Sequence, residues 1–372
     1  MDKFSRRNFL KTSGAAALAA TFGNWVAGNP AQAASMDGFF RNLDARPAAQ
    51  MNLKVGFIMT QMAAQSDQGV VQGWNDWLAR KNYKDQWQAP LQDGEGSPAK
   101  VAAMIEDAEA KKVDAIVLGF AEMPAITGAL ESVKKANIPL FTVDSGYMLP
   151  SICDIASNNY LMGGQMGEYL IQRLLGLGKN NGNICRITAN FHHGTRKRGK
   201  VFTQILSENE GIKVLDERII QYEGFFETTL NTVTDWLTQH GDKIDAIWCP
   251  WDEPAMAAAQ AIQASGRTVK NACVVGADGH IPAVNKMRED PDYPMVCTTS
   301  QSFPLWGNMV AYYIEQIVGL KKPVKDIVPV PIINMPTPLL VKGFNIPPAD
   351  QPTWKFEDMY QTFMKQALGE TK

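Results

Sequence analysis

Basic residues are not in excess in this 372-residue chain. Lys and Arg total 36 against 38 Asp and Glu, giving a formal net charge of -2. That balance gives no pointer to nucleic acid, whose binders carry an excess of basic residues, and no nucleic acid partner is expected. Beyond the N-terminus, no apolar run reaches the ~18 residues of a membrane span. Cysteine is scarce as well. There are five, Cys153, Cys185, Cys249, Cys273 and Cys297, an odd number with no C-x-x-C pair, each in an apolar strand-like run. Buried free thiols are expected rather than a disulfide framework. The motifs of common enzyme chemistries are missing too: there is no P-loop, no H-E-x-x-H and no G-x-S-x-G elbow. Gly176 to Gly182 is glycine-rich but follows a helix and precedes a strand, the reverse of a dinucleotide loop. His192 and His193 are adjacent with no nearby Cys or carboxylate to complete a metal set, so no metal site and no cofactor are expected.

The N-terminus reads as an address. Ser5-Arg6-Arg7-Asn8-Phe9-Leu10-Lys11 is a twin-arginine motif. A mildly apolar stretch follows from Gly14 to Ala27, and Ala31-Gln32-Ala33 is a cleavage site. Residues 1–33 are therefore expected to be an export signal, taken by a chain that folds in the cytoplasm and, in a Gram-negative cell, ends in the periplasm. The signal removes four basic residues (Lys3, Arg6, Arg7, Lys11) and one acid (Asp2), so the mature chain is more acidic still.

From Leu53 onward, short apolar runs alternate with amphipathic stretches. Strands are expected at 53–59, 113–118 and 138–143, and again at 183–188, 212–220, 244–249, 273–277 and 295–299. Helices are expected at Gln68–Lys81, Pro98–Lys112 and Met123–Ala136. Such alternation means parallel strands with crossover helices. The halves echo each other: Lys112-Val113-Asp114-Ala115-Ile116-Val117 parallels Lys243-Ile244-Asp245-Ala246-Ile247-Trp248. In each half, the next strand ends in an aspartate, Asp144 or Asp278. The fold class is α/β, with two doubly wound Rossmann-like parallel-sheet domains facing across a cleft, and ligands bind such sheets beyond the C-terminal strand ends.

Several segments together resemble the type I periplasmic sugar-binding proteins, the ribose-binding group of ABC-transporter receptors. They are Ser97 to Lys100, Ala136 to Asp144, Ile155 to Asn159, Gly194 to Gly199, Trp251 to Ala255 and Val274 to Gly279. The resemblance runs from about Asn52 to Lys342. It implies two lobes joined by a three-segment hinge near 156–159, 300–303 and 328–337. The lobes would be 36–157 plus 303–330 and 158–302 plus 331–372, with an amphipathic helix from Thr353 to Leu368. It further implies a monomeric periplasmic receptor without catalysis. That receptor closes on a small carbohydrate or polyol and delivers it to an ABC permease in the inner membrane. A receptor for a signalling molecule or nucleoside, or an exported α/β enzyme, are the alternatives.

The same resemblance points to site residues. Asp144 and Asp278 match the two carboxylates that hold sugar hydroxyls, Arg196 the arginine that forks to vicinal oxygens, and Gln301 the glutamine beside the hinge. Phe226 and Trp251, with Phe225 as neighbour, would give the apolar face of a sugar a flat partner. The first loop lacks the family's stacking aromatics and offers Gln61, Ser66 and Asp67 instead. Ser145 stands where the family often has Arg, Trp251 where it has Asn, and Ala277 where it has Phe. The pocket is thus expected to be rebuilt for a ligand other than ribose.

Overall fold

The computed structural model describes residues 50–328 and 330–349. The expected signal at 1–33 and the helix at Thr353–Leu368 lie outside them. The first half of the described chain runs β1 (Leu53–Met59), α1 (Gln65–Arg80), β2 (Trp87–Gln88), β3 (Leu91–Asp93), α2 (Pro98–Ala110), β4 (Ala115–Gly119), α3 (Thr127–Ala136), β5 (Leu140–Val143) and β6 (Ser151–Ser157). It continues with α4 (Asn159–Gly176), β7 (Asn183–Ala189), α5 (His193–Ser207), β8 (Lys213–Ile220), α6 (Phe225–His240), β9 (Ala246–Trp248), α7 (Asp252–Ala264), β10 (Cys273–Asp278), α8 (Ile281–Glu289) and β11 (Met295–Ser300). The last stretch is α9 (Phe303–Ile314), α10 (Val324–Ile327), β12 (Ile332–Met335) and β13 (Leu339–Val341).

These strands build two sheets. The first has the order β12-β6-β5-β4-β1-β2, with β3 also on β1. The second has the order β13-β11-β10-β9-β7-β8. Every pairing is parallel except β13 on β11. Side chains alternate between sheet faces, and the cores follow. Val55, Phe57 and Met59 join one cluster of the first sheet, while Ile58, Ile116 and Leu118 join the other. In the second sheet, Ile247 and Cys249 face one cluster, and Ala246 and Trp248 the other. Helices therefore cover both faces of each sheet, as buried parallel sheets require.

The chain leaves the first sheet at Ser157, returns to it after Ser300 and leaves it again after Met335. Helix α9 packs against α1 so closely that a Cβ on Gly73 would lie 1.7 Å from the Pro304 carbonyl, and one on Gly307 would lie 2.0 Å from the Val70 carbonyl. Strand β12 then pairs in parallel with β6, burying Ile333 and Met335 in the first core. This corrects the reading that put everything after 330 in the second lobe. Ile332–Met335 belongs to the first sheet, and only β13 belongs to the second. The last passage is the short run Pro336-Thr337-Pro338. The helix expected over Met123–Ala136 is also interrupted, by a 3₁₀ turn at Met123–Ile126 before α3. All five cysteines are free and buried.

Candidate functional site

A cavity of about 400 Å³ opens at the C-terminal ends of both sheets. Thr60, Ser66, Phe120, Glu122 and Asp144 reach it from the first sheet's loops. Thr195, Arg198, Tyr222, Phe225, Trp251, Glu253 and Asp278 reach it from the second, and Gln301 comes from a passage between the sheets. Three lining residues that end strands sit at positive φ: Phe120 at 57°, Asp144 at 41° and Asp278 at 108°. L-residues adopt such backbone only when the surroundings impose it, at about 1–3 kcal/mol each. The sheets thus aim both aspartates into the cavity at a conformational cost.

Asp144 is buried. Its Oδ1 accepts from Asn159 Nδ2 at 3.3 Å and lies 3.5 Å from His193 Nε2. Burial raises its pKa, aided by Asp278 and opposed by His193, Arg198 and Lys197. Its carbonyl meets His192 Nε2 at 2.7 Å and His193 Nε2 at 3.0 Å. Gly194 N donates to His192 Nδ1, which leaves Nε2 as the protonated nitrogen. Burial, with His193 beside it, holds His192 well below its ordinary pKa and so neutral. Asp144, His192 and His193 cluster closely enough to hold a cation, but that would require stripping these Nε2–H groups from the carbonyl they serve.

Asp278 anchors the other wall. Its Oδ1 accepts from Gln301 Nε2 at 2.5 Å and lies 3.2 Å from Arg198 Nη1. Arg198 also donates through Nε to Asn159 Oδ1 and through Nη1 to the Pro250 carbonyl. Gln301 Oε1 is buried with no hydrogen-bond partner among the described residues. Behind Asp278, His280 is 5% exposed, 3.4 Å from Glu253 through Nδ1 and 3.9 Å from Asp278 through Nε2. Burial disfavours its charge, but Glu253 and the aspartates outweigh burial and raise it to about 9. Burial likewise works to raise Glu253, yet His280 and the Gln65 N–H bring it below the ordinary value. That N–H belongs to the first turn of α1, whose N-cap, Ala64, has no side chain to cap it. A carboxylate from the second sheet therefore faces the N-terminus of a helix of the first. Asp252, raised to about 8 by burial, accepts from Thr298 Oγ1 and His280 N beneath.

An aromatic group closes one end. Trp251 makes edge contacts with Phe225 at 5.2 Å and Phe191 at 5.8 Å, and Phe191 meets Tyr222 at 4.7 Å.

Of the residues singled out from sequence, Ser66, Asp144, Trp251, Asp278 and Gln301 line the cavity. Four do not. Gln61 uses its backbone N–H to bind Asp67 Oδ1, and Asp67 is buried behind the wall, also accepting from Ser66, with its carboxyl raised to about 8 by burial. Arg196 turns away from the cavity to Glu122 and the Asn190 carbonyl. Arg198 takes the cavity position. The cause is helix phase: the buried stripe of α5 is Thr195, Arg198 and Phe202, spaced by three and four, and Arg196 falls outside it. Phe226 is displaced by Phe225 for the same reason, because Phe225 shares a stripe with the buried Thr229 and Val233 of α6. Tyr222 was missed; Glu122 and His192 stand at strand ends that the sequence places at the cleft, and Glu253 in the Trp251–Ala255 segment, but none of the three was among the expected ligand residues. The order of the apolar stripe in α5 and α6 was the available signal for Arg198 and Phe225.

Known proteins agree with this architecture. The periplasmic binding protein domain family matches residues 55–323, and a twin-arginine translocation signal matches residues 3–23. The chain belongs to the periplasmic binding protein family. It is a binding protein rather than an enzyme, exported to the periplasm, and it falls with the solute-binding proteins of sugar and polyol ABC transporters. The ribose import binding protein of Bacillus subtilis is 26% identical over 235 residues, covering 63% of this chain and 73% of that protein. The xylitol-binding protein of Mycolicibacterium smegmatis is 23% identical over 237 residues, covering 63% of this chain and 64% of that protein. Among solved structures, an ABC transporter solute-binding protein from Agrobacterium vitis with bound allitol shares the fold of this periplasmic binding protein. Its TM-score is 0.70 at 19% identity, covering 84% of this chain and all of the other.

Proposed function

We propose that this binding protein captures a small neutral polyol or sugar between two lobes and delivers it to an ABC permease in the inner membrane. One lobe comprises the first sheet, with α9 and β12. The other comprises the second sheet, with β13. The hinge is the three passages at 157–159, 300–303 and 335–339, and closure needs no cofactor. One observation carries the reading. Asp144 and Asp278, strand-end carboxylates from different sheets, open on one cavity beside Arg198 and Gln301. An ionised carboxylate accepts from two hydroxyls at once, and a guanidinium returns donors to hydroxyl oxygens. A chain of vicinal hydroxyls supplies both roles together.

Charge favours a neutral ligand. The cations around the cavity already have carboxylate partners, Arg196 with Glu122, His280 with Glu253 and Arg198 with Asp278, and the buried Asp144 adds a further carboxyl group. A sugar phosphate or sugar acid would meet repulsion there. Aromatic rings line the cavity from both lobes, Phe225 and Trp251 on one side and Phe120 and Phe303 on the other, and offer the apolar faces of a sugar or polyol flat partners. The ligands for which the two relatives are named and the one bound in the fold neighbour, ribose, xylitol and allitol, are of this size and class.

The test is a thermal-shift screen of refolded, ligand-stripped mature protein against pentoses, hexoses, tetroses, sugar alcohols, nucleosides and sugar phosphates. At ~100 times its dissociation constant, a ligand adds about 2.7 kcal/mol. Hits confined to neutral polyols or sugars support the proposal. Hits confined to nucleosides would transfer the aromatic group to base stacking and overturn it.

A further inference from the structure

Arg196 has a role other than ligand contact. Its Nη2 donates to Glu122 Oε1 at 2.8 Å and its Nη1 to Glu122 Oε2 at 3.2 Å, a forked pair. A third bond, from Nη1 to the Asn190 carbonyl at 2.8 Å, holds the guanidinium in that orientation. Arg196 belongs to α5, on the second sheet. Glu122 follows β4 of the first sheet, directly before the 3₁₀ turn. The two side chains are 30% and 23% exposed, so the pair is partly shielded from water. Glu122 also lines the cavity, whereas Arg196 does not.

We infer that Glu122 and Arg196 form an ionic clasp across the cleft that sets the balance between open and closed lobes. The inference rests on the two-lobe reading above but on no particular ligand. A forked guanidinium–carboxylate pair has a fixed geometry, so it forms only when the loop after β4 and the start of α5 are at this separation. Opening the lobes breaks it and returns both charges to water. Other contacts cross the cleft nearby, Asp144 with His192 and His193 and Glu253 with the Gln65 N–H, and none of them uses Arg196.

The clasp predicts a salt-dependent balance, because partly exposed ion pairs weaken as ionic strength rises. The experiment is small-angle scattering on refolded, ligand-stripped mature protein in 0.05 M and 1 M NaCl, with no ligand added. Wild type is expected to expand at high salt. Arg196→Met is expected to lower the closed-to-open ratio about five-fold at low salt and to lose the salt response. The exchange Glu122→Arg with Arg196→Glu is expected to restore compactness at low salt. Circular dichroism checks that each variant is folded. Arg196→Met scattering that matches wild type at both salt concentrations would overturn the clasp. So would an expanded Arg196→Met that the exchange variant fails to restore. Neither result depends on which ligand the cavity takes, so failure here and failure of the polyol screen remain separate.

Discussion

Replacing His280 by Asn probes the charge network behind the cavity wall. In the folded chain His280 keeps its proton up to about pH 9, against an ordinary 6.5, because Glu253, Asp278 and Asp252 outweigh its burial. The folded state therefore binds that proton more tightly than the unfolded state does. The resulting stabilisation is complete below about pH 6.5 and is lost as pH rises through about 9. A rise of that size corresponds to about 3 kcal/mol. Asp67 and Asp252, raised to about 8 by burial, also hold protons more tightly when folded. They too lower stability as pH rises from about 4 to 8. The wild-type slope alone is thus a sum, and the informative quantity is the gap between wild type and His280→Asn at each pH. Asn keeps a polar group in the site and cannot carry the charge. In urea unfolding followed by tryptophan fluorescence, the gap is expected to shrink by about 3 kcal/mol between pH 6.5 and 9.5. A gap that stays constant over that range would refute a charged His280 in this network.

Asp278→Ala is expected to cost about 3–5 kcal/mol, because it leaves the buried Arg198 without its carboxylate. Asp278→Asn should fold with a smaller loss and still fail to bind, which calorimetry with the hits of the polyol screen would show. Arg198→Lys is expected to weaken those hits at least ten-fold, because an ammonium cannot span Asn159, Pro250 and Asp278 together, whereas Arg196→Lys should leave the cavity wall unchanged. Gly73→Ala is expected to destabilise by about 1–3 kcal/mol or more, because its Cβ would strike the backbone of α9, and thermal melting reads this directly. Burial raises all five thiols, Cys185 to about 12, so iodoacetamide should modify them only after denaturant is added.

The strand–helix alternation was legible because buried parallel strands are apolar throughout, as in Ala115–Gly119. Strand β6 was passed over because Ser151–Ser157 carries a buried carboxylate, Asp154, and two serines. Its polar atoms are used locally, since Asp154 accepts from Thr142, Ser145 and Gly146. Strand β12 was misplaced because chain order favours the lobe last visited, and only pairing with β6 reveals its side. The strand-end aspartates were readable from position alone. Arg198 was not, and Phe225 could not be told from its neighbour Phe226, because a helix turns about 100° per residue and a one- or two-residue shift moves a side chain to another face. Glu253 and His280 meet only in three dimensions, where α7 and the end of β10 converge.

The order in which the chain visits its two sheets also bears on how the protein is made. The first core draws Phe303, Trp306 and Ile333 from segments made after the whole second sheet except β13. The half of the molecule that emerges first from the ribosome therefore stays open until nearly the whole chain has been made. It waits, with apolar surface uncovered, for residues up to 335. A chain threaded outward while still growing would expose that unfinished core on the far side of the membrane. The twin-arginine signal avoids this exposure, because it sends the chain across only after synthesis has ended and both cores are shut.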